Sequence, residues 1–84
     1  MDVRVGMVVK SAAGRDKGLF MVITALDGEN AGDFAYIADG KLRKLASPKK
    51  KRIKHLKVTN TYLDTANLTD KALRSHLRNF NSDK

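Results

Sequence analysis

Five short runs with strand character follow one another inside the first 58 residues, and that crowding limits the folds open to the chain. Residues 3–10, VRVGMVVK, alternate with period two, placing Val3, Val5, Met7 and Val9 on one face and Arg4, Gly6, Val8 and Lys10 on the other. The stretch 11–18, SAAGRDKG, is a loop whose Gly14 and Gly18 can take positive φ. Residues 19–26, LFMVITAL, are apolar throughout and rich in branched and aromatic side chains, the pattern of a central strand buried on both faces. DGENAGD at 27–33 is a turn, and FAYIA at 34–38 reads as a third strand.

Asp39-Gly40 is a strong hairpin signal and leads into KLRKL at 41–45 as the expected fourth strand, closed by Pro48. IKHLKV at 53–58 is the expected fifth, with a single helical turn around 53–56 as a local alternative. Five short strands joined by tight turns make a mainly β protein, a small β-barrel. The period then changes. Thr69-Asp70 is a helix start, and Leu73, Leu77 and Phe80 follow at i, i+4 and i+7, predicting an amphipathic helix over 69–80 packed back on the barrel. Residues 1–58 therefore form the barrel, and 59–84 a connector and the C-terminal helix.

Charge is the second constraint. The 84 residues carry a formal +8 at pH 7, yet residues 1–40 hold four basic and six acidic side chains. The segment 41–57 holds nine basic residues and no acid. So much positive charge on a small body points to a polyanionic partner. Leu42, Leu45, Ile53 and Leu56 interrupt the basic run, which marks it as a surface mounted on a fold and not a free tail.

Several classes of chemistry find no support. The absence of cysteine excludes disulfides, thiolate zinc sites and thiol nucleophiles. His55 and His76 have no carboxylate at ligand spacing, and the acids Asp16, Asp27, Glu29, Asp33 and Asp39 sit where turns form. GRDKG lacks the spacing and the Lys-Ser/Thr ending of a phosphate-cradling loop. No enzyme and no cofactor are expected. The apolar runs fall short of a membrane span, and MDVRV lacks the basic and long apolar regions of a signal peptide, so a cytoplasmic protein is expected.

The stretch 6–23, GMVVKSAAGRDKGLFMVI, resembles a KOW motif: a glycine opening a hydrophobic strand, a basic glycine-containing loop, and a second hydrophobic strand. The continuation at 37–56, IADGKLRKLASPKKKRIKHL, is similar to the fourteen-e family of large-subunit ribosomal proteins and its small bacterial relatives, through DGK-x-R-K, PKKK and KHL. The resemblance implies an SH3-like barrel that binds RNA, typically ribosomal RNA, as a monomer associated with the ribosome and in contact with ribosomal proteins. Carried over position by position, it assigns RNA contacts to Gly14, Arg15, Lys17 and Gly18 in the loop. In the basic segment it assigns Lys41, Arg43, Lys44, Lys49, Lys50, Lys51, Arg52, Lys54 and His55.

Lysine and arginine supply phosphate neutralisation, and Phe20, Phe34 or Tyr36 are stacking candidates that a chain with so few aromatics is expected to spend on its core. Replacing Lys49, Lys50 and Lys51 with Ala is expected to weaken RNA binding and leave the fold intact. The competing reading is a protein-interaction module of SH3-like type that receives an acidic partner in transcription or translation. PKKKRIK also matches a nuclear import signal locally, a weak match in so small a protein, and no amphipathic helix coincides with the charge to favour membrane adsorption.

Overall fold

The computed structural model describes residues 3–28 and 34–81. Five strands, β1 (Met7–Ser11), β2 (Phe20–Asp27), β3 (Phe34–Ala38), β4 (Lys49–Arg52) and β5 (Leu56–Tyr62), form one antiparallel sheet in the order β4-β3-β2-β1-β5, followed by a single α-helix, α1 (Asp70–Asn81). The expected mainly β fold of five strands with a C-terminal helix is what forms.

The connection from β4 to β5 makes the sheet curl. These strands lie at opposite edges, and a flat five-stranded sheet would hold them about 19 Å apart. Only the 3₁₀ turn Ile53–His55 joins them, and at about 2 Å rise per residue it is far too short to span that width. The edges are therefore brought round toward each other. The apolar faces turned inward form one cluster: Val3, Met7, Val9, Met21, Ile23, Ala35, Ile37, Ile53 and Leu56.

A second cluster lies on the outside of the curled sheet. Val8, Val22 and Ala38 point outward and are covered by Leu73 and Leu77 of α1, with Phe80 stacked on Phe20 at 5.1 Å between ring centres. Burying each leucine contributes roughly 1.5–3 kcal/mol, which a three-turn helix needs because it is marginal alone. The helix starts as expected: the Ala72 N–H donates to Thr69 Oγ1 (3.1 Å). At its other end Asn81 Oδ1 accepts from the Phe20 N–H (2.8 Å).

Four local expectations are corrected. The first strand begins at Met7, because the chain bends at Gly6, whose N–H donates to the Ile23 carbonyl (2.7 Å). Val5 is consequently 47% exposed, while Val8, expected on the solvent side, is buried under the helix. Asp39-Gly40 does not close a two-residue hairpin, and 41–45 is not a strand. Instead the Asp39 carboxylate accepts from the N–H groups of Lys41 (3.0 Å) and Arg43 (2.8 Å), organising a long loop 39–48.

Gly40 within that loop has φ +80°, and a Cβ there would lie 2.5 Å from the Asp70 carbonyl oxygen, so only glycine lets the helix N-terminus dock. The fourth strand is Lys49–Arg52, which Pro48 precedes and does not end. Finally, Ile53–His55 form the single helical turn and not the start of the fifth strand, and β5 runs Leu56–Tyr62, so residues 59–62 extend the sheet beyond the expected boundary at 58.

Candidate functional site

The loop 11–18 is built around Asp16. Its carboxylate is buried and receives the Ser11 hydroxyl (2.7 Å) and Lys51 Nζ (2.6 Å), with Lys49 Nζ at 3.4 Å. Lys51 Nζ also donates to the Ala13 carbonyl. Burial pushes the Asp16 carboxyl up, but the hydrogen bonds from Lys51 and Ser11 and the charges of Lys51 and Lys49 outweigh it and hold the group at about 2, against an ordinary 3.8. Gly14 completes the clamp. It has φ +86°, and a Cβ there would crowd Lys51 Nζ at 3.2 Å.

This clamp fixes the backbone from which the exposed side chains of Arg15 and Lys17, on either side of Asp16, project. Arg15 lines an open groove together with Asp16, Met21, Leu42, Arg43 and Lys49. Lys17 lines a second groove with Lys10, Ser11, Ala12, Gly18 and Lys57. Lys10 and Lys57 are direct cross-strand partners in the β1–β5 register. Among the described residues no carboxylate oxygen lies within 4 Å of the charged side-chain nitrogens of Lys10, Arg15, Lys17, Arg43 or Lys57, since the ion pairs there involve only Lys49, Lys50 and Lys51. Like charges set directly opposite each other destabilise a sheet, a cost offset in part by the Lys10 ammonium lying 5.6 Å from the centre of the Phe20 ring.

The structure thus brings together Gly14, Arg15, Lys17, Gly18, Arg43 and Lys49. Lys54 and His55 lie beside the same loop, because the His55 carbonyl accepts from the Ala12 N–H (2.8 Å). The remaining basic positions are dispersed. Lys51 is 8% exposed and is a structural partner of Asp16 rather than a surface contact. Replacing Lys49, Lys50 and Lys51 together would strip Asp16 of both its cations, so the expectation of an intact fold in that variant is withdrawn.

Lys50 pairs with the exposed Asp27 (3.1 Å), a hydrogen bond that lowers the Asp27 carboxyl and raises the Lys50 ammonium pKa. Arg52 lies over the Phe34 ring on the outer face of β3–β4. Lys44 is exposed in the loop 39–48, and Lys41 lines a groove along α1 with Asp39, Arg74, Leu77, Arg78 and Asn81.

Two members of the second groove, Lys10 and Lys57, were not among the sequence-derived site residues. Their signal is register: 47 positions apart in the chain, they meet only because β5 pairs with β1 at that position. Of the aromatic candidates, Phe20 is taken by the helix, while Phe34 and Tyr36 stay half-buried on the open face.

Among the described residues no group of three or more His, Asp or Glu side chains could hold a metal ion, and no helix is long and apolar enough to cross a membrane. Compared with protein-family models the chain matches none. No curated protein matches it either.

Proposed function

We propose that the protein binds RNA without catalysis, through the loop 11–18 and the cations on either side of it. The observation that carries this reading is the groove lined by Lys10, Lys17 and Lys57, three lysines with no carboxylate within ion-pair distance of their ammonium groups among the described residues. A phosphate backbone relieves that repulsion and releases counterions, which supplies affinity. The backbone of the loop is held by the Asp16 clamp, so little backbone freedom is lost when its cations engage a partner.

Charge alone suits any polyanion. RNA, and ribosomal RNA in particular, is the choice supported by the likeness of 6–23 and 37–56 to KOW-type ribosomal proteins, with ribosome association as the setting. The test is the salt dependence of RNA binding. Contacts from Lys10, Arg15, Lys17, Arg43 and Lys57 predict log K falling against log salt with a slope of about −3.5 to −4.5. Replacing Lys10, Lys17 and Lys57 with Ala should make that slope shallower by about 2 to 3. A salt-independent association overturns the reading, and preference for an acidic peptide over RNA in the same titration moves it to a protein-interaction module. Crosslinking in cells with sequencing of the bound RNA identifies the target.

A further inference from the structure

The outer face of β3 and β4, away from the loop 11–18, carries a second kind of chemistry. The register sets Phe34 opposite Arg52 and Tyr36 opposite Lys50, so these four side chains share one face. It is the same face that farther along bears Val8, Val22 and Ala38 beneath α1. There the helix covers the apolar surface; here Phe34 and Tyr36 remain half-buried, covered by no apolar side chain of the second cluster.

The Arg52 guanidinium carbon sits 5.1 Å from the centre of the Phe34 ring, and Lys50 Nζ sits 4.7 Å from it. Asp27 takes the charge of Lys50 (3.1 Å). Arg52 has no carboxylate within 4 Å among the described residues.

Resting on the RNA-binding reading, we propose that this face is a stacking platform for an unpaired base of the bound RNA, formed by Phe34 and Arg52 with Tyr36 beside them. A guanidinium laid over a ring is planar, and a base can stack on either plane while the charge meets the adjoining phosphate. Bases inside a duplex have both faces covered by their neighbours, so the chemistry selects a single-stranded segment. The cations flanking the loop 11–18 read backbone charge alone; this patch adds a requirement for an exposed base. The Asp27 carboxylate at its margin, paired with Lys50, has lone pairs left to accept hydrogen bonds from base amino groups or 2′-hydroxyls.

The experiment compares a ten-nucleotide single-stranded oligoribonucleotide carrying 2-aminopurine with a blunt RNA duplex of the same length, against wild type, Phe34→Leu and Arg52→Lys. Wild type should prefer the single strand and quench the 2-aminopurine. Phe34→Leu, which keeps an apolar side chain in the strand, should lose roughly 5- to 100-fold of single-strand affinity, the contribution of one stacked base, with duplex affinity and salt slope unchanged. Arg52→Lys keeps the charge but loses the plane, so it should reduce quenching without changing the salt slope.

Equal losses on single strand and duplex, or no loss in either variant, overturn the platform and leave the RNA-binding reading standing. A wild-type protein that binds neither RNA overturns both. Thermal melts of each variant separate loss of fold from loss of stacking, and should Phe34→Leu unfold, Arg52→Lys on the solvent side carries the test alone.

Discussion

Lys51 and Lys57 are six residues apart in one basic segment, yet they hold their charge for opposite ends. Lys51 is buried on β4 and locked to Asp16 and the Ala13 carbonyl. Lys57 stands exposed on β5 directly opposite Lys10, with no acid beside it among the described residues. One lysine makes the loop 11–18 rigid; the other, with Lys10 and Lys17, makes the surface beside that loop repulsive to itself. A run of like residues in a sequence therefore mixes two roles, and only the partners assembled by the fold tell them apart. The contrast predicts that the first kind of lysine matters to stability and the second to binding.

The largest test removes the buried cation. Lys51→Met keeps most of the side-chain volume but leaves the Asp16 carboxylate buried with only Lys49 at 3.4 Å and the Ser11 hydroxyl. Orphaning a buried charge in this way should reduce the unfolding free energy by about 3 kcal/mol, a large part of what a small domain possesses. Urea denaturation measures it. A loss below about 0.5 kcal/mol would put Lys51 with the exposed cations and erase the contrast.

The second test reads the same clamp through pH. Asp16 titrates at about 2 in the folded protein against 3.8 ordinarily, so between those values the unfolded chain binds more protons. The stabilisation it contributes is present in full above about pH 4 and is lost as pH falls through 2, amounting to about 2 kcal/mol. In Asp16→Asn that acid-dependent loss should be absent. Identical acid profiles for the two proteins would show that the carboxylate is not held by Lys51 and Lys49.

These two residues also show where one-dimensional reading stops. The presence of β1, the continuous run of β2, the third strand and the helix with its Thr69 cap were legible because each rests on neighbours a few positions away, although the burial of Val5 and Val8 was not. The fourth strand was not. KKKR has the composition of a solvated run, and it is a strand because it pairs with β3, with Lys51 buried against Asp16 across 35 positions. Conversely KLRKL alternates as a strand should but is held as a loop by the Asp39 carboxylate and by Asp70, whose Oδ1 accepts from the Leu45 N–H (2.8 Å). The loop residues Arg15 and Lys17 were legible from their glycine brackets, whereas Lys10 and Lys57 required the β1–β5 register. Local signals survive in sequence; a partner's identity across the sheet does not.

The smallest effect is the most discriminating because its sign is unusual. Lys57→Thr replaces one member of a facing like-charge pair with a residue that suits an edge strand, and it leaves Lys10 without a facing charge. If the pair is kept for a polyanion, the substitution should stabilise the protein slightly, by about 0.2–1 kcal/mol at low salt, and the gain should shrink as salt screens the repulsion. The same change should weaken RNA binding and reduce the salt slope by about one contact. Denaturation at two ionic strengths and one RNA titration suffice. A variant that loses stability and keeps its RNA affinity would mean that Lys57 belongs with Lys51, holding the sheet together, and that the groove beside the loop is not where the polyanion sits.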